Sequence, residues 1–214
     1  MHAYNRKAMI AGNEMRNVGE NGVGFTGETE WVDGTGGDQP RFNTVEGNLI
    51  HHIGLYNKQS VAVFHAVSCQ NLIQENVFFH GPRALFNMND DFGGDTVIKS
   101  NLFFKAMLET HDHGPYNSWD RLSFLTTVLN GTNTIDSAYN HLTANMMFSG
   151  SPFAIDTDDG SDRINCTANV IVNTPLFKVR PGGGGARPTQ HVGGEGTPSV
   201  HCATLSQQPP HILH

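Results

Sequence analysis

The sequence has few charged residues and few of the residues that favour helices. Only 15% of its 214 residues are Asp, Glu, Lys or Arg, whereas glycine alone accounts for 24 positions. Leu, Glu, Lys and Ala stabilise helices, while Gly and Asn favour turns. The composition therefore argues against a mainly helical protein, and it predicts one all-β domain.

An excess of positive charge is also missing. The chain has 13 Lys and Arg residues against 20 Asp and Glu residues, and its formal net charge is -7. Binding to nucleic acid depends on clustered Lys and Arg side chains that displace counterions from the phosphates. We therefore expect no nucleic-acid partner.

Long apolar runs are missing as well. No run of eighteen apolar residues occurs, and the chain does not open with the apolar segment of a secretory signal. The sequence thus predicts no membrane partner and no signal peptide within this chain. A secreted or cell-surface location is expected only if the chain is part of a longer precursor.

Cysteine is scarce and widely spaced. Cys69, Cys166 and Cys202 form no CxxC pair of the kind that holds zinc or supports redox chemistry. We expect Cys69 and Cys166 to be small core residues.

What the sequence does contain is a repeated unit in which an asparagine lies between two short apolar runs. The copies span residues 9–15, 44–50, 72–78, 97–103, 142–147 and 166–171, and their asparagines are Asn13, Asn48, Asn76, Asn101, Asn145 and Asn169. These asparagines stand 35, 28, 25, 44 and 24 residues apart. A basic period of about 24 residues, interrupted by two insertions, is typical of a solenoid.

Each unit contains three short strand-like segments, which is typical of a parallel β-helix. We predict a right-handed parallel β-helix of about six coils over residues 1–179, with loop insertions near 26–41 and 111–136. A Gly/Pro-rich tail at 180–214 is expected to be weakly ordered. The asparagine should adopt the left-handed conformation at a bend, and its amide should bond the next Asn in a ladder. The alternative is that Asn is simply frequent in turns.

A polar column follows if the asparagines are used as a ruler. The residue eleven places after each of them is Gly24, Gln59, Asn87, Asp112, Asp156 and Arg180. Equivalent positions of a solenoid stack, so these residues are predicted to share one outer face. The alternative is a solvated turn rich in Asn and Asp.

The stretch from Glu109 to Arg121 is the densest in groups that move protons or bind sugars. Paired carboxylates cleave glycosidic bonds, so Asp112 and Asp156 are predicted as acid and as nucleophile or base, with His113 relaying protons. Like charges close together should keep one of the two carboxyls protonated. The predicted sugar-binding residues are His111, Trp119, Asp120, Arg121, Asn87, Asp90 and Asn117.

Two alternatives concern the chemistry of this stretch. A polysaccharide lyase would use His113 or His111 as base and a cation such as Arg121. No cofactor is required, although a calcium site at Asp158, Asp159 and Asp91 is an alternative, and His111 with His113 is a weaker zinc candidate.

Four segments carry a resemblance to a known family. Residues 81–84, 89–94, 112–121 and 155–161 resemble segments of right-handed parallel β-helix proteins that are carbohydrate-active, of the glycoside hydrolase or polysaccharide lyase type. The resemblance covers about residues 1–175 and implies the fold and a polysaccharide partner. The expected function is cleavage of glycosidic bonds, by hydrolysis rather than elimination. The alternatives are a non-catalytic carbohydrate-binding or structural solenoid and an inactive truncated homologue.

Overall fold

A computed structural model describes residues 1–29, 36–89, 93–119, 124–126, 135–158, 161–173 and 176–179, and it gives the backbone alone for 124–126, 135–137 and 176–179. The described residues form twenty short strands and no helix. Accordingly, no helical segment in these ranges could cross a membrane.

Eighteen of the strands form three parallel sheets of six strands each. Sheet 1 contains β1 (Met9–Ala11), β4 (Thr44–Glu46), β7 (Leu72–Gln74), β10 (Val97–Lys99), β15 (Asn140–Thr143) and β18 (Ile164–Thr167). Sheet 2 contains β2 (Glu14–Arg16), β5 (Leu49–His51), β8 (Val77–Phe79), β11 (Leu102–Phe104), β16 (Met146–Phe148) and β19 (Val170–Val172). Sheet 3 contains β3 (Val23–Thr26), β6 (Val63–Ala66), β9 (Phe86–Asn89), β12 (Tyr116–Ser118), β17 (Phe153–Thr157) and β20 (Leu176–Val179). The chain visits the three sheets in turn, so the predicted all-β parallel β-helix is confirmed.

The core lies between the three sheets and follows from strand alternation. Side chains alternate between the two faces of a strand, so a three-residue strand points one central residue inward. In the inner strands of sheets 1 and 2 these central residues are fully buried, and examples are Val45, Ile73, Ile98, Leu142, Ile50, Phe78, Phe103 and Met147. Burial of each such side chain contributes about 1.5–3 kcal/mol.

The predicted asparagine ladder is confirmed at the corner between sheets 1 and 2. The Nδ2 atom of each asparagine donates to Oδ1 of the next at 2.9–3.0 Å, from Asn13 through Asn48, Asn76, Asn101 and Asn145 to Asn169. The same Nδ2 atoms also reach backbone carbonyls, as Asn101 does at Ile73 O (3.0 Å). Asn is therefore selected here for a repeated hydrogen bond and not only for turn propensity.

The backbone conformation of this corner differs from the prediction. The left-handed residue is the one before each asparagine, namely Gly12, Gly47, Glu75, Ser100, Ala144 and Ala168, with φ between 55° and 67°. None of the six ladder asparagines has a positive φ. The preceding residue makes the turn, so the asparagine amide is left to bond along the axis.

A second polar ladder, not predicted from the sequence, lies where sheet 1 begins. Asn43 Nδ2 donates to Asn71 Oδ1 at 3.1 Å, Asn71 N donates to Thr96 Oγ1 at 3.4 Å, and Thr96 N donates to Asn140 Oδ1 at 3.1 Å. His65 joins this ladder from sheet 3, because its Nε2 lies 3.2 Å from both Asn71 Nδ2 and Thr96 Oγ1.

The second insertion begins later than predicted. Residues 116–118 are strand β12 of sheet 3, so the segment from His111 to Ser118 belongs to the solenoid itself. The insertion contains an antiparallel pair, β13 (Phe124–Thr126) and β14 (Ile135–Ser137), which pairs with none of the three sheets. Its described strands form this antiparallel pair and add no strand to the three parallel sheets.

The first insertion connects β3 to β4, as predicted. Its described part is held against the first coil by Arg6, whose Nη2 donates to Gly37 O at 2.8 Å. Within the insertion, Glu28 N donates to Asp38 O at 2.8 Å.

Candidate functional site

One column of outward-facing residues runs along sheet 3. Its strand register aligns Gly24, Phe64, Asn87, Asn117, Asp156 and Lys178 at the same position of successive strands. The neighbours of these residues along each strand, such as Phe86 and Met88 beside Asn87, belong to the core. Alternation therefore turns the column away from the core.

The predicted column is correct for Gly24, Asn87 and Asp156 and wrong for Gln59 and Asp112. Phe64 and Asn117 occupy the two corrected positions. The turn that leads into sheet 3 is five residues longer on these two coils, so a count of eleven from Asn48 or Asn101 stops in the turn. The sixth predicted member, Arg180, lies outside the described residues.

Asp112, His113 and Asp156 come together at the edge of this column. The turn before β12 brings His113 beside β17, where His113 Nδ1 lies 3.2 Å from Asp156 Oδ2. His113 Nε2 lies 3.7 Å from Asp112 Oδ2. The Asp156 side chain is 0% exposed, while the Asp112 side chain is 59% exposed. The two carboxylates therefore flank one imidazole, and only Asp112 is open to a ligand.

Gly114 permits the close approach of the turn to strand β17. A Cβ atom at this position would lie 2.7 Å from Phe153 O and 2.8 Å from Ala154 O, closer than a side chain tolerates. Ser151 Oγ fixes the same turn by donating to His113 O. Gly114 and the Ser151 hydroxyl thus hold the turn in the position that brings His113 against Asp156. These two residues are distant in the sequence, so no single motif contains both.

Arg83 completes the cluster, and reasoning from the sequence missed it. Its Nη2 donates to His113 Nε2 and lies 3.5 Å from Asp112 Oδ2, and its Nη1 donates to Gln59 Oε1. Arg83 stands three residues before β9, as His113 stands three residues before β12. Alignment of the repeats by the start of the sheet 3 strand, instead of by the ladder asparagine, would have paired them.

The contacts of His113 fix the orientation of its ring. Nδ1 lies 3.2 Å from Asp156 Oδ2 and 3.0 Å from Asp112 O. Nε2 faces the Arg83 guanidinium and Asp112 Oδ2.

Asp112 is held in its ionised form. Burial acts to raise the pKa of the Asp112 carboxyl, but the His113 imidazole, the Asp112 backbone N–H and the Arg83 guanidinium outweigh burial and lower that pKa. Asp112 is therefore not the member of the predicted pair that stays protonated. The carboxylate is ready to act as a nucleophile or base and not as an acid.

The predicted sugar-binding residues have different fates. Asn87 and Asn117 lie in the column and are buried, while His111 is exposed in the turn before β12. Trp119 follows β12 directly, and its backbone N donates to Met88 O at 2.7 Å. The residues Asp120, Arg121 and Asp90 lie outside the described residues, and their sugar-binding role stays a prediction.

The predicted metal ligands do not form a cluster among the described residues. Within the described ranges, no group of three His, Cys, Asp or Glu side chains could hold a metal ion. Asp158 is bound through its backbone, whose N–H donates to Ser118 O at 2.8 Å. Its predicted calcium partners Asp159 and Asp91 lie outside the described residues, so the calcium site stays a prediction. His111 and His113 lie in a turn and not on a strand, which removes the basis of the zinc candidate.

Comparison with protein-family models, with curated proteins and with solved structures finds no match for this chain. The fold therefore defines the class: the chain is a parallel β-helix protein. Its activity has to be inferred from the side chains on sheet 3, because β-helices serve several unrelated functions.

Proposed function

We propose that the protein binds a polysaccharide along the outer face of sheet 3 and hydrolyses its glycosidic bonds at Asp112 and His113. The observation that carries this proposal is the placement of one imidazole between a fully buried carboxylate and an exposed one. A buried carboxylate that orients an imidazole is a common way to build a proton-transfer group. An exposed ionised carboxylate beside it supplies the second group that glycoside cleavage needs.

The geometry favours different roles from those expected for an Asp112–Asp156 pair. Asp156 is fully buried, so it acts as a positioning residue that orients His113. Asp112 is the nucleophile, and His113 is the acid. The 3.7 Å between His113 Nε2 and Asp112 Oδ2 is closer to the roughly 5–5.5 Å of retaining enzymes than to the 6.5–9.5 Å of inverting ones, which favours the retaining route.

The proposed reaction has two steps. Substrate entry first displaces Arg83 from His113 Nε2, because a protonated Nε2 cannot share that position with a second donor, and Nε2 then takes up a proton from solvent. Asp112 then attacks the anomeric carbon, the glycosidic C–O bond breaks, and the leaving oxygen takes the proton from His113. In the second step water hydrolyses the glycosyl ester, its proton returns to His113, and Asp112 is released as a carboxylate.

The test is a screen of the purified protein against neutral and uronic polysaccharides. Release of reducing ends detects hydrolysis, and ultraviolet absorbance of unsaturated products detects elimination. On a substrate that the parent cleaves, Asp112→Asn and His113→Gln should each lower kcat by roughly 10²- to 10⁴-fold. Asp156→Asn should lower kcat with little change in KM, because Asp156 does not touch the sugar.

The matched control is Asp95→Asn, which removes an exposed carboxylate near the corner before sheet 1. This variant should keep the parent activity. Wild-type turnover in both Asp112→Asn and His113→Gln would reject the proposal, provided that circular dichroism shows folded proteins. Unsaturated products in place of reducing ends alone would replace hydrolysis by elimination.

The full burial of Asp156 favours a second candidate, a non-catalytic carbohydrate-binding solenoid. In that case Asp156 and His113 only hold the turn before β12, and Asp112 bonds a sugar hydroxyl. Binding of an oligosaccharide without turnover, together with unfolding of the Asp156→Asn variant, would support this second function.

A further inference from the structure

The column on sheet 3 extends beyond the reacting groups, and its amides lack partners. Asn87 is 6% exposed and Asn117 is 3% exposed, yet Asn87 Oδ1 and Asn117 Nδ2 have no hydrogen-bond partner among the described residues. The Nε atom of Arg83 is also buried and also has no hydrogen-bond partner among the described residues. Buried polar atoms without a partner are costly, so we expect a ligand to complete these groups after it displaces the side chains that shield them, as proposed for Arg83.

An aromatic side chain lies next to these amides. Phe64 is the neighbour of Asn87 in the column, and it is only half-buried although it is a large apolar residue. Gly24, on the other side of Phe64, has no side chain, and a Cβ there would meet nothing within 4 Å. The space above Gly24, on the strand next to Phe64, is therefore not filled by a side chain.

We infer that Phe64, Asn87 and Asn117 form a subsite for a neutral saccharide, in which the Phe64 ring stacks on a sugar and the two amides bond its hydroxyls. This inference rests on the proposed function, because the subsite continues the same face. From Phe64 to Asp156 the column covers three strand spacings, about 14 Å. A polysaccharide would therefore run parallel to the axis of the solenoid.

The charges around the column favour a neutral ligand. Arg83 and Lys58 supply two positive charges among the described side chains, whereas Asp112, Asp156 and Glu109 supply three negative ones. An acidic polysaccharide would need an excess of positive charge here, and amides recognise hydroxyls without any net charge.

Binding should be measured by isothermal titration calorimetry with neutral hexasaccharides (gluco-, manno-, galacto- and xylo-) and with uronic hexasaccharides. The protein is the full chain carrying Asp112→Asn, so that binding is separated from cleavage. We expect a neutral hexasaccharide to bind. Phe64→Leu, which keeps apolar volume but removes the ring, should raise its Kd about five- to tenfold. Asn117→Ala should raise it by about tenfold.

Two further variants keep the result interpretable. Phe64→Tyr retains the ring and should bind the hexasaccharide with the parent Kd. If substitution of Phe64 merely disturbed folding, Phe64→Tyr would also raise the Kd. Phe42→Leu changes an exposed phenylalanine that precedes β4 of sheet 1 and is not part of the column. This variant should leave Kd unchanged.

The outcomes separate the subsite from the proposed function. Binding of uronic but not neutral hexasaccharides, or neutral binding that Phe64→Leu leaves unchanged, would overturn the subsite while the proposed cleavage stands. If the protein binds and cleaves no saccharide of either class, both the subsite and the proposed function are rejected.

Discussion

His65 is a histidine that serves the fold and not the candidate site. It is nearly fully buried on strand β6 and points into the core, where its ring lies 5.7 Å from that of Phe25. Its Nε2 accepts from Asn71 Nδ2 at 3.2 Å and lies 3.2 Å from Thr96 Oγ1. The imidazole thus links sheet 3 to the polar ladder of sheet 1, and this role requires the neutral form.

The stability of the protein should therefore depend on pH through His65. Burial lowers the pKa of His65 from 6.5 to about 3. Between these values the unfolded chain binds a proton at His65 and the folded protein does not. The contribution is full above the unfolded pKa of about 6.5, and it is lost by about 1.4 kcal/mol per pH unit as the pH falls towards the folded value.

Urea denaturation at a series of pH values between neutral and acid measures this effect. The His65→Gln variant is the control, because its amide oxygen can accept a hydrogen bond but does not titrate. The variant should be less stable at neutral pH, and its free energy of unfolding should decline less steeply with acid than that of the parent. Equal slopes in the two proteins would show that His65 is not the group responsible.

At the residue scale the sequence could indicate only part of the site. Asp112, His113 and Asp156 were predictable because they stand in segments dense in polar groups. Arg83 was not, because a lone arginine beside Gly81 and Pro82 has no distinctive spacing to a histidine 30 residues away. The burial of Asp156 was hidden as well, since it depends on how the turn before β12 packs against β17.

Among the structural elements, the asparagine ladder offers the clearest test of what holds successive coils together. Asn101 is an interior rung and 1% exposed. Its Oδ1 accepts from the backbone N and from Nδ2 of Asn76, and its Nδ2 donates to Asn145 Oδ1 and Ile73 O, all at 2.9–3.0 Å. Asn13 is the first rung, is exposed, and donates to Asn48 Oδ1 and Ala11 O.

Asn101→Ala should destabilise the protein by about 3 kcal/mol or more, because it leaves buried donors and acceptors of the neighbouring rungs unpaired. Asn13→Ala should cost less than about 1 kcal/mol, since water replaces its bonds. Chemical denaturation of both variants and the parent gives the comparison. Equal losses in the two variants would mean that the ladder is not a main source of stability.

Among the elements, the strands and the ladder could be predicted from the repeats, because both follow from a local apolar pattern that recurs once in every coil. The turn into sheet 3 was not predicted, since its length varies by five residues between coils without any change in the ladder segment. That variation displaced Gln59 and Asp112 from the column. Strand register, which requires the structure, restored Phe64 and Asn117 to it.

At the scale of the whole molecule, the described outer face of sheet 3 fits the proposed sugar better than that of sheet 2. On sheet 2 the outward rings of Phe79 and Phe104 stack at 4.6 Å with an angle of 4° between their planes, and His51 stacks on Phe79 at 4.5 Å. Both faces of the Phe79 ring are therefore covered by neighbouring rings. On sheet 3 Phe64 stands beside open space and polar groups, which is the arrangement that binds a sugar ring.

The proposed function requires that a polysaccharide lies along sheet 3. Hydrogen exchange of backbone amides, followed by mass spectrometry, tests it directly on the Asp112→Asn protein with and without a saturating oligosaccharide. We predict slower exchange in the turns at 80–85 and 107–115, which precede β9 and β12, and no change in peptides that contain the strands of sheet 2. Slower exchange confined to sheet 2, or none in either turn while the oligosaccharide is bound, would contradict the claim.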